Sequence, residues 1–197
     1  MEDIDVRYDE LLKIHTTGRD DSISNLTNFP YEPSPYEVLL RLYNSGYIKK
    51  NNTLLDYGCG KGRVDFYLSY QTKCHTIGVE YNERLYNKAL MNKESGRFNR
   101  SEFVLKRAEE YQIDNSIDRF YFFNPFNLKV LNKVILNIID SYDKSNRETL
   151  LFFYYPSDKY ENYLNKCMRL ELLDSISTED LYNNGDIREK ILVYKLV

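Results

Sequence analysis

The chain has no tryptophan, two histidines, three cysteines and five prolines in 197 residues. Cys59, Cys74 and Cys167 are odd in number and fall at no metal-ligand spacing, so a disulfide framework and a zinc module are excluded, no metal is expected, and a reducing, cytoplasmic setting fits. Positive charge is not in surplus. The formal net charge of −3 gives no global pull toward nucleic acid or an anionic membrane. No apolar run approaches the roughly 20 residues of a membrane span, no signal peptide is read, and no repeat recurs. With so few histidines, imidazole chemistry has only His15 as a candidate base, against the competing reading of an ordinary surface residue. His75 enters a predicted strand from its far end and reads as structural.

What is present is a chain with 42% apolar residues, long enough for one domain with a sizeable core, and rich in tyrosine at 19 residues. Its most informative stretch is TLLDYGCGKGR, Thr53 to Arg63. An apolar run ends at Asp56; Gly58, Gly60 and Gly62 follow; a helical pattern then opens. This predicts a buried strand turning sharply into a helix, with backbone left bare for a ligand and N–H groups suited to an anion. A phosphate-binding P-loop would need a G-x-x-x-x-G-K-[ST] run, which is absent. The dinucleotide fingerprint would need glycine where Arg63 stands.

What remains, Asp56-x-Gly58-x-Gly60-x-Gly62, resembles motif I of the class I S-adenosylmethionine-dependent methyltransferases. The resemblance implies a Rossmann-like α/β fold: a mostly parallel seven-stranded sheet with helices on both faces and a C-terminal antiparallel hairpin. It implies S-adenosylmethionine as cofactor, its methionine carboxylate over the turn formed by Asp56, Tyr57, Gly58, Cys59, Gly60 and Gly62. Cys59, at a helix N-terminus, reads as a small packing residue. A predicted strand His75–Glu80 ends in a carboxylate about twenty positions after the turn, where it can accept both ribose hydroxyls. Tyr81 follows as a candidate against the adenine, and Glu109 is a candidate near the adenine amine.

Further strands are predicted at Thr53–Tyr57, Glu102–Lys106, Ser116–Phe123, Thr149–Tyr155, Arg169–Ser177 and Lys190–Val197, the last two joined across Asn183–Asp186. Helices are predicted at 4–14, from a Ser34 capping box with Glu37 to about Gly46, and over 61–71, 82–93, 127–141 and 157–167. Residues 16–29 read as loop. The segment 1–32 is assigned as a lid or acceptor-side segment, and 33–197 as the cofactor-binding domain. Tyr31 and Tyr36 stand where a lid tyrosine could meet a sulfonium by a cation–π contact.

The predicted fourth strand ends in Asn124-Pro125-Phe126. This resembles the (D/N/S)-P-P-(Y/F) motif of many amine and amide N-methyltransferases, with one proline in place of two, so that the aromatic falls one place early. The resemblance makes Asn124 the acceptor-orienting residue and Pro125 and Phe126 acceptor contacts. Tyr154 and Tyr155 are further candidates on that side. The expected activity is methyl transfer to an acceptor read as nitrogen, on a small molecule or protein in preference to nucleic acid. A non-catalytic module that binds S-adenosylmethionine or its demethylated product stays open.

Overall fold

A computed structural model describes residues 4–19, 31–182 and 185–197. Thus most of the predicted loop 16–29, and part of the Asn183–Asp186 link, lie outside the described residues.

Seven strands form one sheet: β1 Thr53–Tyr57, β2 His75–Glu80, β3 Ser101–Leu105, β4 Arg119–Phe122, β5 Leu150–Tyr154, β6 Leu170–Ser177 and β7 Lys190–Leu196. Their order is β3-β2-β1-β4-β5-β7-β6. The first five run parallel, and β7 pairs antiparallel with both β5 and β6. The C-terminal pair is the expected antiparallel hairpin at one edge of the sheet, with β7 beside β5 and β6 outermost. The central strands read as near-continuous apolar runs because both of their faces are covered. Leu54 of β1, Tyr121 of β4, Phe152 and Tyr154 of β5, and Val193 of β7 join one core with α2 Tyr36–Asn44, α3 Arg63–Thr72 and Ala89 of α4 Glu83–Gly96. Their alternates Leu55, Tyr57, Phe120, Phe122 and Phe153 join a second core with α5 Leu128–Lys144 and α6 Asp158–Leu164.

The helix ends show why the chain turns where it does. Asn82 caps α4, accepting from the backbone N–H groups of Arg84 and Leu85; Asn127 caps α5 through Val130 and Ser157 caps α6 through Tyr160. One predicted cap fails. Pro35 holds the N-cap position of α2 without a side-chain cap, and the Ser34 hydroxyl is spent on the Tyr121 hydroxyl at 2.9 Å. β4 is shorter than predicted, Arg119–Phe122, and Asp118 just before it ties it to both neighbours: its backbone N–H donates to the Thr53 carbonyl, its carbonyl accepts from Leu150 N–H, and its carboxylate accepts from Thr53 N–H and the Asn52 amide. The N-terminal helix α1 Ile4–Leu12 lies against α2.

Candidate active site

The glycine turn forms between β1 and α3 at the carboxyl edge of the sheet. Gly58 and Gly60 adopt φ of 77° and 57°, a region costly for residues with a Cβ. Space is limiting as well. A Cβ on Gly58 would stand 2.6 Å from the Cβ of Pro125, and one on Gly60 would run into the Tyr31 ring. The bare backbone thus lets the end of β4 and the segment around Tyr31 close on the turn. The turn's N–H groups are tied largely to β2. Gly58 N–H donates to the Val79 carbonyl at 2.8 Å and Gly60 N–H to Glu80 Oε2 at 3.0 Å. Glu80 Oε1 accepts from Asn82 N–H at 2.8 Å, and burial pushes the Glu80 carboxyl up from its ordinary range.

A crevice of about 70 Å³ follows this turn. Asp56, Tyr57, Gly58, Cys59, Glu80, Tyr81, Asn124 and Pro125 all line it, so the structure brings together most of the residues read from the sequence. It is narrow because Tyr31, Glu32, Pro33 and Ser34 also line it. Tyr57 contributes from the strand, while its ring stacks on Phe122 in the core beneath at 5.3 Å between centroids. Burial raises the Cys59 thiol, which agrees with a packing role. A smaller hollow lined by Gly58, Tyr81 and Glu109 continues the crevice past β3.

Asn124 and Phe123 also line a second, larger cavity of about 850 Å³ beyond the ends of β4 and β5. Phe126, Tyr154 and Tyr155 line this cavity, not the crevice. Asn124 has φ 40° and Tyr155 φ 49°, two left-handed residues at adjacent strand ends. The Asn124 amide donates to the Tyr155 carbonyl, and its Oδ1 accepts from Ser157 N–H at 3.3 Å, which leaves that oxygen a lone pair. Left-handed non-glycine residues gather where a site needs an otherwise unfavourable backbone.

Gly60, Gly62, Tyr36 and His15 line neither the crevice nor the cavity. Tyr36 is fully buried under α1; its ring lies over the Arg63 guanidinium at 4.4 Å and its hydroxyl donates to Asp9. His15 is exposed, donating its backbone N–H to Asn92.

Two functional features escaped sequence reasoning. Arg63, only 2% exposed, holds the N-terminal segment down: it donates to Thr16 Oγ1 at 2.7 Å, Asp5 Oδ2 at 2.5 Å and the Ser34 carbonyl at 3.3 Å. Lys61 Nζ helps, donating to the Thr17 carbonyl at 2.9 Å and lying 4.7 Å from the Tyr31 ring centroid. Asp9 in this network is held below the usual carboxylate range: burial opposes this, but hydrogen bonds from Thr16 and Tyr36 and the Arg63 charge prevail. The second feature is Asp65, fully buried on the first turn of α3 and facing Asp56. Its carboxyl oxygens accept from no donor among the described residues. Two adjoining buried carboxyls cannot both ionise, so the pair keeps a proton: burial raises Asp65 well above the usual carboxylate range, helped by the Asp56 charge and the hydrogen bond to Asp56, and burial raises Asp56 as well. The spacing Asp56 to Asp65 spans a strand, a turn and a helix start, so no periodicity could have paired them.

The strand order, the glycine turn and the carboxylate at the end of β2 define a Rossmann-like domain that takes a nucleoside cofactor at the carboxyl edge of its sheet. A methyltransferase domain family model matches residues 48–181. That is more than half the chain, which belongs to this methyltransferase family and is an enzyme of that class. No curated protein matches the sequence. Among solved structures it is similar to an RNA methyltransferase from Salinibacter ruber in complex with S-adenosyl-L-homocysteine, at 17% identity and TM-score 0.60 over 84% of this chain and 94% of that one. It is also similar to a putative methyltransferase from Streptococcus mutans (15% identity, TM-score 0.61, 85% and 100% covered). A TehB-like methyltransferase from Corynebacterium glutamicum aligns at 17% identity and TM-score 0.58, with 80% and 86% covered. Among the described residues no helix is long and apolar enough to cross a membrane, and no cluster of side chains could hold a metal ion.

Proposed function

We propose that the crevice binds S-adenosylmethionine and the adjoining cavity its acceptor, a nitrogen group on a small molecule or protein. The observation that carries this reading is the position of Asn124, which lines both spaces at once. The crevice residues fit the cofactor in kind: a turn whose glycines leave no room for a Cβ, a buried carboxylate at the end of β2 with lone pairs to spare, and an aromatic at Tyr81. The cofactor supplies an activated methyl group on a sulfonium, so little covalent chemistry falls to the protein. Glu80 holds the ribose, the turn from Asp56 to Gly62 holds the amino-acid end, and Tyr81 and Glu109 flank the base. Asn124 turns an acceptor N–H toward the crevice through the free lone pair of Oδ1. Such alignment lowers a barrier by roughly 7–11 kcal/mol in favourable cases. The segment 1–32 acts as the cover: in support, Tyr31 and Glu32 line the crevice, and Arg63 and Lys61 bind Asp5, Thr16 and Thr17.

Calorimetry tests this directly. S-adenosylmethionine and its demethylated product should bind at micromolar levels, and NAD should not bind. Glu80→Ala should weaken both ligands at least tenfold. Asn124→Ala should leave their affinities intact and abolish methyl transfer in a labelled-cofactor screen of cell extract. Unchanged affinity in the Glu80 variant, or lost affinity in the Asn124 variant, would show the roles to be misassigned.

A further inference from the structure

The sequence offers no convincing base, yet the cavity beyond Asn124 contains a carboxylate that nothing above uses. Glu189, the residue before β7, lines it at 6% exposure. Insertion of β7 beside β5 places it there: Tyr155 N–H donates to the Lys190 carbonyl at 3.0 Å, and the Tyr155 carbonyl in turn accepts from Asn124. One carboxylate oxygen, Oε2, accepts from the Tyr154 hydroxyl at 3.2 Å and the Thr178 hydroxyl at 3.4 Å. Oε1 has no hydrogen-bond partner among the described residues.

No cation offsets this carboxylate within the described fold. Lys190 pairs with Glu161 at 3.1 Å, Arg188 with Asp186 at 2.6 Å, and Arg19, at the cavity mouth, with Glu32 at 3.4 Å. Lys129 and Lys159 stand exposed at the rim, where water screens them. A buried carboxylate without a cation is costly unless a partner charge is brought to it. Phe123 and Tyr154, 4.7 Å apart between centroids, wall the same cavity, and aromatic faces attract cations.

We propose that Glu189 is the acceptor-binding residue of this enzyme and that its acceptor is a basic amine, bound as the ammonium ion against Glu189 Oε1 and the Phe123 and Tyr154 rings. The inference rests on the reading of this cavity as the acceptor site. The bound nitrogen must lose a proton before its lone pair can react. That proton passes from nitrogen to Oε1, so the N–H bond breaks as the O–H bond forms and the lone pair stays on nitrogen. Glu189 thus both selects the amine and deprotonates it, while Asn124 holds a remaining N–H.

The test is binding to the intact chain saturated with S-adenosylhomocysteine, measured by calorimetry with 2-phenylethylamine, 2-phenylethanol, Nα-acetyl-lysine methylamide and adenosine 5′-monophosphate. At least one of the two amines should bind tenfold or more tightly than the alcohol. Preference for phenylethylamine points to a free small molecule, and preference for the lysine derivative to a protein side chain. Glu189→Gln keeps the shape and the contacts to Tyr154 and Thr178; it should cost the favoured amine at least tenfold while leaving the alcohol and S-adenosylhomocysteine unchanged. Equal binding of amines and alcohol by the unaltered chain, no binding of either amine, or tighter binding of the nucleotide would overturn the proposal without recourse to any variant. Failure of S-adenosylhomocysteine itself to bind would instead strike the cofactor reading on which it stands.

Discussion

Replacing Asp65 by asparagine removes a buried ionisable side chain beside the glycine turn, and the protein should become more stable. Asp65 is fully buried against Asp56, so burial first, then the Asp56 charge and the hydrogen bond to Asp56, hold its proton far above the ordinary range. In the unfolded chain the same carboxyl ionises near pH 3.9. Between those limits the folded state binds one proton more than the unfolded state, so raising the pH favours unfolding by about 1.4 kcal/mol per unit. The cost is absent in acid and accumulates on the way to neutrality. An asparagine carries no such cost, and its amide N–H still donates to Asp56. From pH 5 to 7 the variant should therefore gain roughly 2.7 kcal/mol on the parent, equivalent to about 5–10 °C in melting temperature for a chain of this size. Urea unfolding of both proteins without ligand, at half-unit steps from pH 4.5 to 7.5, gives the two slopes. Parallel curves, or a variant less stable at every pH, would mean that the two carboxyls do not share a proton.

Two further changes probe the frame around the site. Arg63→Met should cost about 3–5 kcal/mol, the usual penalty for stranding a buried partner charge, and should speed hydrogen exchange in α1 more than in the sheet; uniform exchange across both would refute its role as the anchor of residues 4–17. Gly58→Ala puts a Cβ at φ 77° and 2.6 Å from Pro125, so stability should fall by roughly 1–3 kcal/mol and cofactor affinity with it. An unchanged urea midpoint would show that β4 does not close on the turn.

The backbone schedule of this protein is local, and the sequence alone determined it. The apolar run 53–57, the glycines after it, the carboxylate ending β2 and the helix caps Asn82, Asn127 and Ser157 are set by neighbours within a few positions, because propensity, capping and turn chemistry act over that range. The grouping of the turn and the β2 carboxylate along one crevice was legible for the same reason: both sit at fixed offsets from two predictable strands. Nothing local said that Ser34 would abandon its helix for Tyr121, that Arg63 would reach back to Asp5 and Thr16, or that Asp65 would meet Asp56. Those partners lie from 9 to 87 residues apart, and only packing brings them together. The acceptor side depends most on tertiary structure. Glu189 reaches the cavity of Asn124 because β7 inserts antiparallel beside β5, and strand order is decided by which faces the helices can bury, not by any pattern along the chain.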